Sequence, residues 1–216
     1  MMTTFENEQI ALWRGEFGND YAARNAPSAE RIRNQTRFWA RLLDILAVRN
    51  ETPGSILEIG ANVGINLRAL RNLIDANFYA VEPNDKARDI LIADGIVPAD
   101  QAFAATGEAI PMPDGAVDLV FTAGVLIHVN PDTLAEVCSE IYRVSRQTII
   151  CAEYFSAYPE SIPYRGQDDK LFKRDFGSFW RERHPSLKVV DYGFAWKPVT
   201  GLDNITWWIF SKTGPE

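Results

Sequence analysis

The stretch Ser55-Ile56-Leu57-Glu58-Ile59-Gly60-Ala61-Asn62-Val63-Gly64 decides the fold. Ser55–Gly60 is a short apolar run, set off upstream by Thr52-Pro53-Gly54, and suits a strand buried on both faces. The chain then passes an acid, turns through glycines and continues into Val63–Ile74, whose apolar residues recur at helical spacing. Gly60 and Gly64 permit tight turning and close approach of backbone to a ligand. The start of the following helix offers unpaired N–H groups to a carboxylate. A dinucleotide fingerprint requires glycine two and five positions after Gly60, where this chain has Asn62 and Ile65. Asn62 obstructs a bulky pyrophosphate but not the amino-acid end of a smaller cofactor.

Downstream, strands and helices alternate. Phe78–Glu82 reads as a strand, Asp85–Ala93 as a helix, Gln101–Ala105 as a weak strand and Val117–Thr122 as a clear one. Asn130-Pro131 is expected to start a helix running to Val144, with Asn as cap and Pro in the first turn. Thr148–Tyr154 is a further strand. This rhythm predicts a doubly wound α/β fold with a mostly parallel, seven-stranded sheet. Leu187–Trp196 and Asn204–Lys212 lie close enough to pair as an antiparallel C-terminal hairpin, with Gly201-Leu202-Asp203-Asn204 in the link. Trp207-Trp208 reads as an exposed strand able to pair with a second chain. Upstream, Pro27 and Ser28 precede Ile32, Trp39, Leu42, Leu43 and Leu46, one face of a helix. The expected organisation is a single domain over residues 1–216. It comprises an N-terminal helical extension or lid (1–50) and an α/β core (51–216), with an insert near 156–184.

A chain of 216 residues with 46% hydrophobic composition is large enough for one substantial core. The net charge of -7 disfavours a general nucleic-acid binder. No apolar run is long enough to span a bilayer, and Met1 to Gln9 lacks the basic start and apolar run of a signal peptide. Cys138 and Cys151 form no disulfide framework and no metal-ligand pattern, so a cytoplasmic protein without a metal site is expected, as a monomer or homodimer.

Two further stretches carry chemistry. In Tyr79-Ala80-Val81-Glu82-Pro83, Glu82 ends the second strand 24 residues after Glu58, where a carboxylate accepts both ribose hydroxyls of a nucleoside. Thr106-Gly107-Glu108-Ala109-Ile110-Pro111-Met112-Pro113 leads into the fourth strand, which ends in Ala123-Gly124-Val125-Leu126-Ile127-His128. Together with the glycine loop, these stretches resemble the class I S-adenosylmethionine-dependent methyltransferases over residues 55–130. The resemblance implies that Glu58, Gly60, Ala61, Asn62 and Gly64 form the loop that takes the methionine end of S-adenosylmethionine. It further implies that Glu82 and Pro83 take the ribose, that Thr106, Gly107 and Glu108 flank the adenine, and that Ala123 and Gly124 floor the sulfonium. S-adenosylhomocysteine is the implied product. The departure is Asn62, where the family commonly has glycine.

A narrower resemblance spans nearly the whole chain. Trp13-Arg14-Gly15-Glu16-Phe17-Gly18-Asn19-Asp20-Tyr21, and Ile162-Pro163-Tyr164-Arg165-Gly166 with Lys170-Leu171-Phe172-Lys173-Arg174-Asp175-Phe176, are similar to methylases associated with pseudaminic acid biosynthesis. Read from the residues, the first stretch is too polar and glycine-rich for a core helix. It is expected to fold over the cofactor with the Tyr21 ring near the sulfonium, a contact worth about 0.5–2 kcal/mol. The second is a local basic cluster; Arg165, Lys173 and Arg174, with Tyr154 and Tyr164, are the expected acceptor contacts. Such a cluster suits an anionic small molecule such as a sugar acid. The alternative for this segment is a solvated helix face over Leu171, Phe172, Phe176, Phe179 and Trp180.

Methyl transfer from a sulfonium needs alignment above all, and a base only where the acceptor must lose a proton. His128, Glu153 and Tyr21 are the candidates for the chemistry; His184 reads as a helix-end surface residue. The function expected is methylation of a small, polar, sugar-like or anionic metabolite. The competing readings are a cofactor-binding regulatory protein without transferase activity, and a nicotinamide-dependent oxidoreductase.

Overall fold

The computed structural model describes residues 8–164 and 167–212, with only the backbone of 167–169. Helices α1 (Glu8–Arg14), α2 (Glu16–Arg24) and α3 (Ala29–Val48) precede the sheet. The Trp13–Tyr21 stretch is helical, as part of the expected N-terminal helical extension: Gly15 sits at the junction of two short helices and its N–H still bonds Ala11 O at 3.0 Å. Ser28 caps α3 by accepting the Arg31 N–H at 3.2 Å.

The core follows as β1 (Ser55–Ile59), α4 (Ile65–Arg71), β2 (Asn77–Val81), α5 (Asp85–Ala93), β3 (Ala102–Phe103), β4 (Val117–Ala123), α6 (Leu134–Val144) and β5 (Ser145–Glu153). After the hairpin β6 (Glu160–Tyr164) and β7 (Gln167–Lys173) come α7 (Phe176–Arg183), β8 (Lys188–Ala195), α8 (Lys197–Thr200) and β9 (Ile205–Ser211). The seven-stranded sheet has the order β3-β2-β1-β4-β5-β9-β8, parallel except where β9 pairs antiparallel with β5 and β8. Rossmann-like topology and the antiparallel C-terminal pair are as the alternation predicts.

Successive strand residues face opposite sides, so the sheet feeds two cores. Ile56, Leu119, Phe121, Ile150 and Trp207 pack with Trp39, Leu42 and Leu46 of α3, whereas Leu57, Val120, Ile149 and Phe210 pack with Cys138 and Ile141 of α6 and Trp180 of α7. Trp207 and Trp208 are buried rather than exposed, because β9 is inserted between β5 and β8 and is covered on both faces. The segment after β5 begins as a two-stranded hairpin pairing Ile162 with Leu171, and only from Phe176 is it helical, in α7. The Asn130 side chain closes a local turn on the Asp132 N–H at 3.0 Å, so α6 begins later than expected, with Thr133 as its cap. His184 is half-buried, stacked on Tyr142 at 4.2 Å. No described helix is long and apolar enough to cross a membrane.

Gly64 caps α4 in the left-handed conformation (φ 73°), and an added Cβ would lie 2.3 Å from Cδ2 of buried Leu91. Gly64→Ala is therefore expected to destabilise the chain by about 1–3 kcal/mol. The check is a urea titration, where the midpoint should fall with no change in slope.

Candidate functional site

Strand order reverses between β1 and β4, and the carboxyl ends of β1, β2 and β4 open there into a cavity of about 630 Å³. Helices α1 and α2 roof it. Glu58, Gly60, Ala61, Asn62, Glu82, Pro83, Thr106, Gly107, Glu108, Ala123, Gly124 and Tyr21 all line this one space. Gly64 does not; its work is the close packing of α4 on α5.

The loop after β1 is held by its own backbone. Gly60 and Ala61 donate to Val81 O at 2.8 and 3.2 Å, and Gly60 has φ 68° with the Val125 side chain against it. Asn62 also takes the left-handed conformation (φ 48°), which a short polar side chain tolerates, so the departure from glycine costs little. Its N–H donates to Glu82 Oε2 at 2.6 Å, while the Asn84 N–H donates to Oε1 at 2.8 Å. A carboxylate has about four lone-pair positions, so both oxygens keep capacity for two hydroxyl donors. Burial raises Glu82 to about 7, against the Asn84 and Asn62 N–H groups and Arg88, which favour the charged form.

Glu58 lies behind the loop. Its Oε1 accepts from Asn66 Nδ2 at 2.7 Å, and Asn66 Oδ1 is fixed by Trp39 Nε1 at 3.0 Å. Its Oε2 is buried with no hydrogen-bond partner among the described residues. Burial, aided by nearby Glu82, pushes this carboxyl well above the usual range. An orphaned acidic oxygen in a cavity wall suits a ligand ammonium, which would complete its hydrogen bonding.

His128 ends the turn Leu126–His128 after β4. Its Nδ1 lies 2.8 Å from Lys170 O; a carbonyl only accepts, so Nδ1 carries the proton and Nε2 is the acceptor. Burial lowers its pKa, only partly offset by the Lys170 bond, which favours the neutral ring at pH 7. The Trp13 and Tyr164 rings flank it at 5.0 Å each, Trp13 meets Tyr21 edge-on at 5.2 Å, and the Gln9 amide donates to the His128 main-chain oxygen. Cap, turn and hairpin thus converge on this residue.

The outer half of the cavity contains residues that sequence reasoning missed. Arg31, Asn34 and Gln35 come from the first turns of α3, and Lys197 and Asp203 from the link between β8 and β9. Tyr154 Oη donates to Asp203 Oδ2, and Lys197 Nζ pairs with Oδ1, each at 3.0 Å. Burial pushes the Tyr154 hydroxyl upward and Asp203 adds to this, so it stays protonated. Asp203 is held below its usual range although burial opposes it, because Lys197 and Tyr154 donate to it. In sequence these residues resemble an exposed helix face and a turn, and carry no motif.

Several expected contacts fall elsewhere. Tyr154 and Tyr164 line the cavity. Lys173 points into a neighbouring groove, its ammonium 5.7 Å from the Tyr154 ring centroid, and Arg174 stacks on Phe179 at 4.7 Å, outside the cavity. Arg165 lies outside the described residues. Glu153 is fully buried and absent from the cavity wall, so it does not meet a ligand there directly.

Residues 57–151 match a family model described as a methyltransferase domain. The chain is similar in fold to the Burkholderia thailandensis 1,6-didemethyltoxoflavin-N1-methyltransferase, solved with 1,6-didemethyltoxoflavin and S-adenosylhomocysteine bound (17% identity, 99% of this chain and 93% of that chain, TM-score 0.71). A SAM-dependent methyltransferase from Leishmania major shares the fold at 14% identity (94% and 86% covered, TM-score 0.67). So does the magnesium protoporphyrin IX methyltransferase from Synechocystis, solved with S-adenosylhomocysteine, at 12% identity (94% and 97%, TM-score 0.66). None of the curated proteins matches by sequence.

The buried Glu82 fixes the sign of a pH effect. Its pKa is about 7 in the folded chain against an ordinary 4.5, so between these values the folded state holds the extra proton. The resulting stability is complete below about pH 4.5 and is lost as pH rises through about 7. Glu82→Gln, neutral throughout, should gain stability relative to the parent chain between about pH 5 and about pH 8, read as the difference in urea unfolding free energies.

Proposed function

We propose that the chain is an S-adenosylmethionine-dependent methyltransferase, a reading supported by its methyltransferase-domain match and its fold, and that its acceptor is a small, polar, anionic metabolite of sugar-like character. The observation that carries this reading is that one cavity is lined both by the buried acids Glu58 and Glu82 and by the exposed cations Arg24, Arg31 and Lys197. The amides of Asn34 and Gln35 and the rings of Tyr154 and Tyr164 add the mixture of hydrogen-bonding and flat apolar surface that suits a polyhydroxylated ring. The narrower likeness to pseudaminic acid-associated methylases agrees with such an acceptor. The buried, unpaired Cys138 and Cys151 suit a cytoplasmic setting.

Residues fitted to the cofactor take these roles. Glu82 accepts the two ribose hydroxyls; Glu58 Oε2 and the backbone at Gly60–Asn62 take the amino-acid end. Thr106, Gly107 and Glu108 flank the adenine, and Ala123 and Gly124 form the floor. S-adenosylmethionine supplies a methyl group activated on sulfur. The protein's contribution is alignment, which can supply about 7–11 kcal/mol of barrier reduction when geometry is well fixed. Tyr21, on the roof, places an aromatic face and hydroxyl at the reacting end. His128, neutral and with Nδ1 committed to Lys170, offers Nε2 to an acceptor proton. Helices α1 and α2 act as the lid over both ligands.

Calorimetric titration tests the cofactor half. S-adenosylmethionine should bind at micromolar concentration and NAD should not. Glu82→Ala should weaken binding by roughly a hundredfold, about 2.7 kcal/mol, through loss of two hydrogen bonds to a charged group. Absence of binding by both S-adenosylmethionine and S-adenosylhomocysteine would sink the reading. For the acceptor half, methyl transfer from labelled cofactor should favour sugar acids over their neutral counterparts. Arg31→Ala with Lys197→Ala should erase that preference while cofactor affinity holds.

A further inference from the structure

Glu153 ends β5 with its side chain fully buried, yet it has no place in the cavity wall and no ion-pair partner among the described residues. A buried carboxyl is costly, and an apolar or amide residue would fill the same volume without that cost. What it does is visible in its bonds. The carboxyl accepts the N–H of Val125 at 3.2 Å and of Ile127 at 3.4 Å, and the Leu126 N–H also favours its charged form. Two N–H groups of one turn thus hydrogen-bond one acid, and the Thr122 side chain also favours its charged form, an anion-binding site supplied from within the chain. The main chain adds one further tie, from Gly124 N to Ala152 O at 2.9 Å.

The turn held in this way reaches both halves of the site. Its start is Gly124, in the left-handed conformation at φ 68°. Its middle is Val125, whose side chain packs on Gly60 so closely that an added Cβ there would lie 2.8 Å from Cγ2. Its end is His128, whose Nδ1 must meet Lys170 O. Gly124, Val125, Ile127 and His128 all line the cavity.

We propose that Glu153 is a positioning residue for methyl transfer: through the N–H groups of residues 125–127 it sets the turn that presses on the cofactor loop at Gly60 and aims the His128 ring at the acceptor. This rests on the reading of the cavity as a cofactor and acceptor site. Glu153→Gln keeps the shape but replaces one accepting oxygen with an amide donor facing N–H groups, so the turn must shift. Glu153→Met removes both oxygens without adding a donor and removes the cost of a buried acid, while leaving the turn N–H groups without their acceptor.

The chain has two histidines, which makes imidazole nitrogen NMR a direct readout. His184 sits on Tyr142, away from the cavity, and serves as the internal reference. In both variants the His128 ring signals should move and the Nδ1–H hydrogen-bond signature weaken, while the His184 signals stay in place. Affinity for S-adenosylhomocysteine should fall roughly tenfold (about 1.4 kcal/mol). Unchanged His128 signals, or His184 signals that move as far as those of His128, overturn the proposal. So does failure of both variants to fold, which would make Glu153 a purely structural residue. The parent chain's own affinity for S-adenosylhomocysteine tests the underlying reading separately, because the histidine signals report on the turn whether or not that ligand binds.

Discussion

The carboxylate of Glu82, gripped between the N–H groups of Asn62 and Asn84, is the contact on which the rest of the site depends. Asn62 belongs to the loop after β1 and Asn84 to the start of α5, so one acid ties two βα turns together across the switch point. Asn84 extends the tie. Its Oδ1 caps α5 through the Ala87 N–H at 2.9 Å, and its Nδ2 donates to Trp13 O at 3.1 Å and Asn19 Oδ1 at 3.0 Å. The roof helices therefore rest on the same residue that donates to the buried Glu82. A short side chain with one acceptor and two donors satisfies all of these at once, which no apolar or purely acidic residue would do.

The cavity is organised by sign of charge. At its inner end, Glu58 and Glu82 are buried close enough that the ionisation of one disfavours that of the other. Such a pair is expensive without a cation, and the methyl donor brings two positive groups, an ammonium and a sulfonium. At the outer end the charged groups are mainly cationic, and Asp203 is already satisfied by Tyr154 and Lys197. The buried acids and the exposed cations thus line one cavity. His128 lines the same cavity, kept neutral by burial and held in one tautomer by a backbone carbonyl. A neutral ring with its proton on Nδ1 keeps a lone pair on Nε2.

Local sequence determined the inner half of this protein. The run Ser55–Gly60, the acid Glu82 and the stretch Thr106–His128 each specify a buried strand and the turn at its end, and these lie within one continuous βα succession. Their proximity follows from parallel pairing of β1 with β2 and β4, which the alternation of periods already implies. The N-terminal helical extension was legible, but neither the break of Glu8–Arg24 into two roof helices nor the β6–β7 hairpin was. Both segments are short and polar, and take their conformation from what they cover: Asn84 and the aromatic rings in one case, the His128 turn in the other.

Tertiary structure alone decided the outer half. Arg31 and Asn34 precede Lys197 and Asp203 by more than 160 residues. They meet because β9 reverses direction beside β5 and carries the preceding link to the start of α3. The same pairing hides Trp207 and Trp208, which pattern alone places at the surface. The burial of Glu153 likewise depends on β9 and the 124–128 turn closing around the end of β5. A local pattern fixes which strand forms and which way its residues face. Which distant charges share a cavity, and which acid is left inside, is set by the packing of elements whose sequences carry no mark of one another.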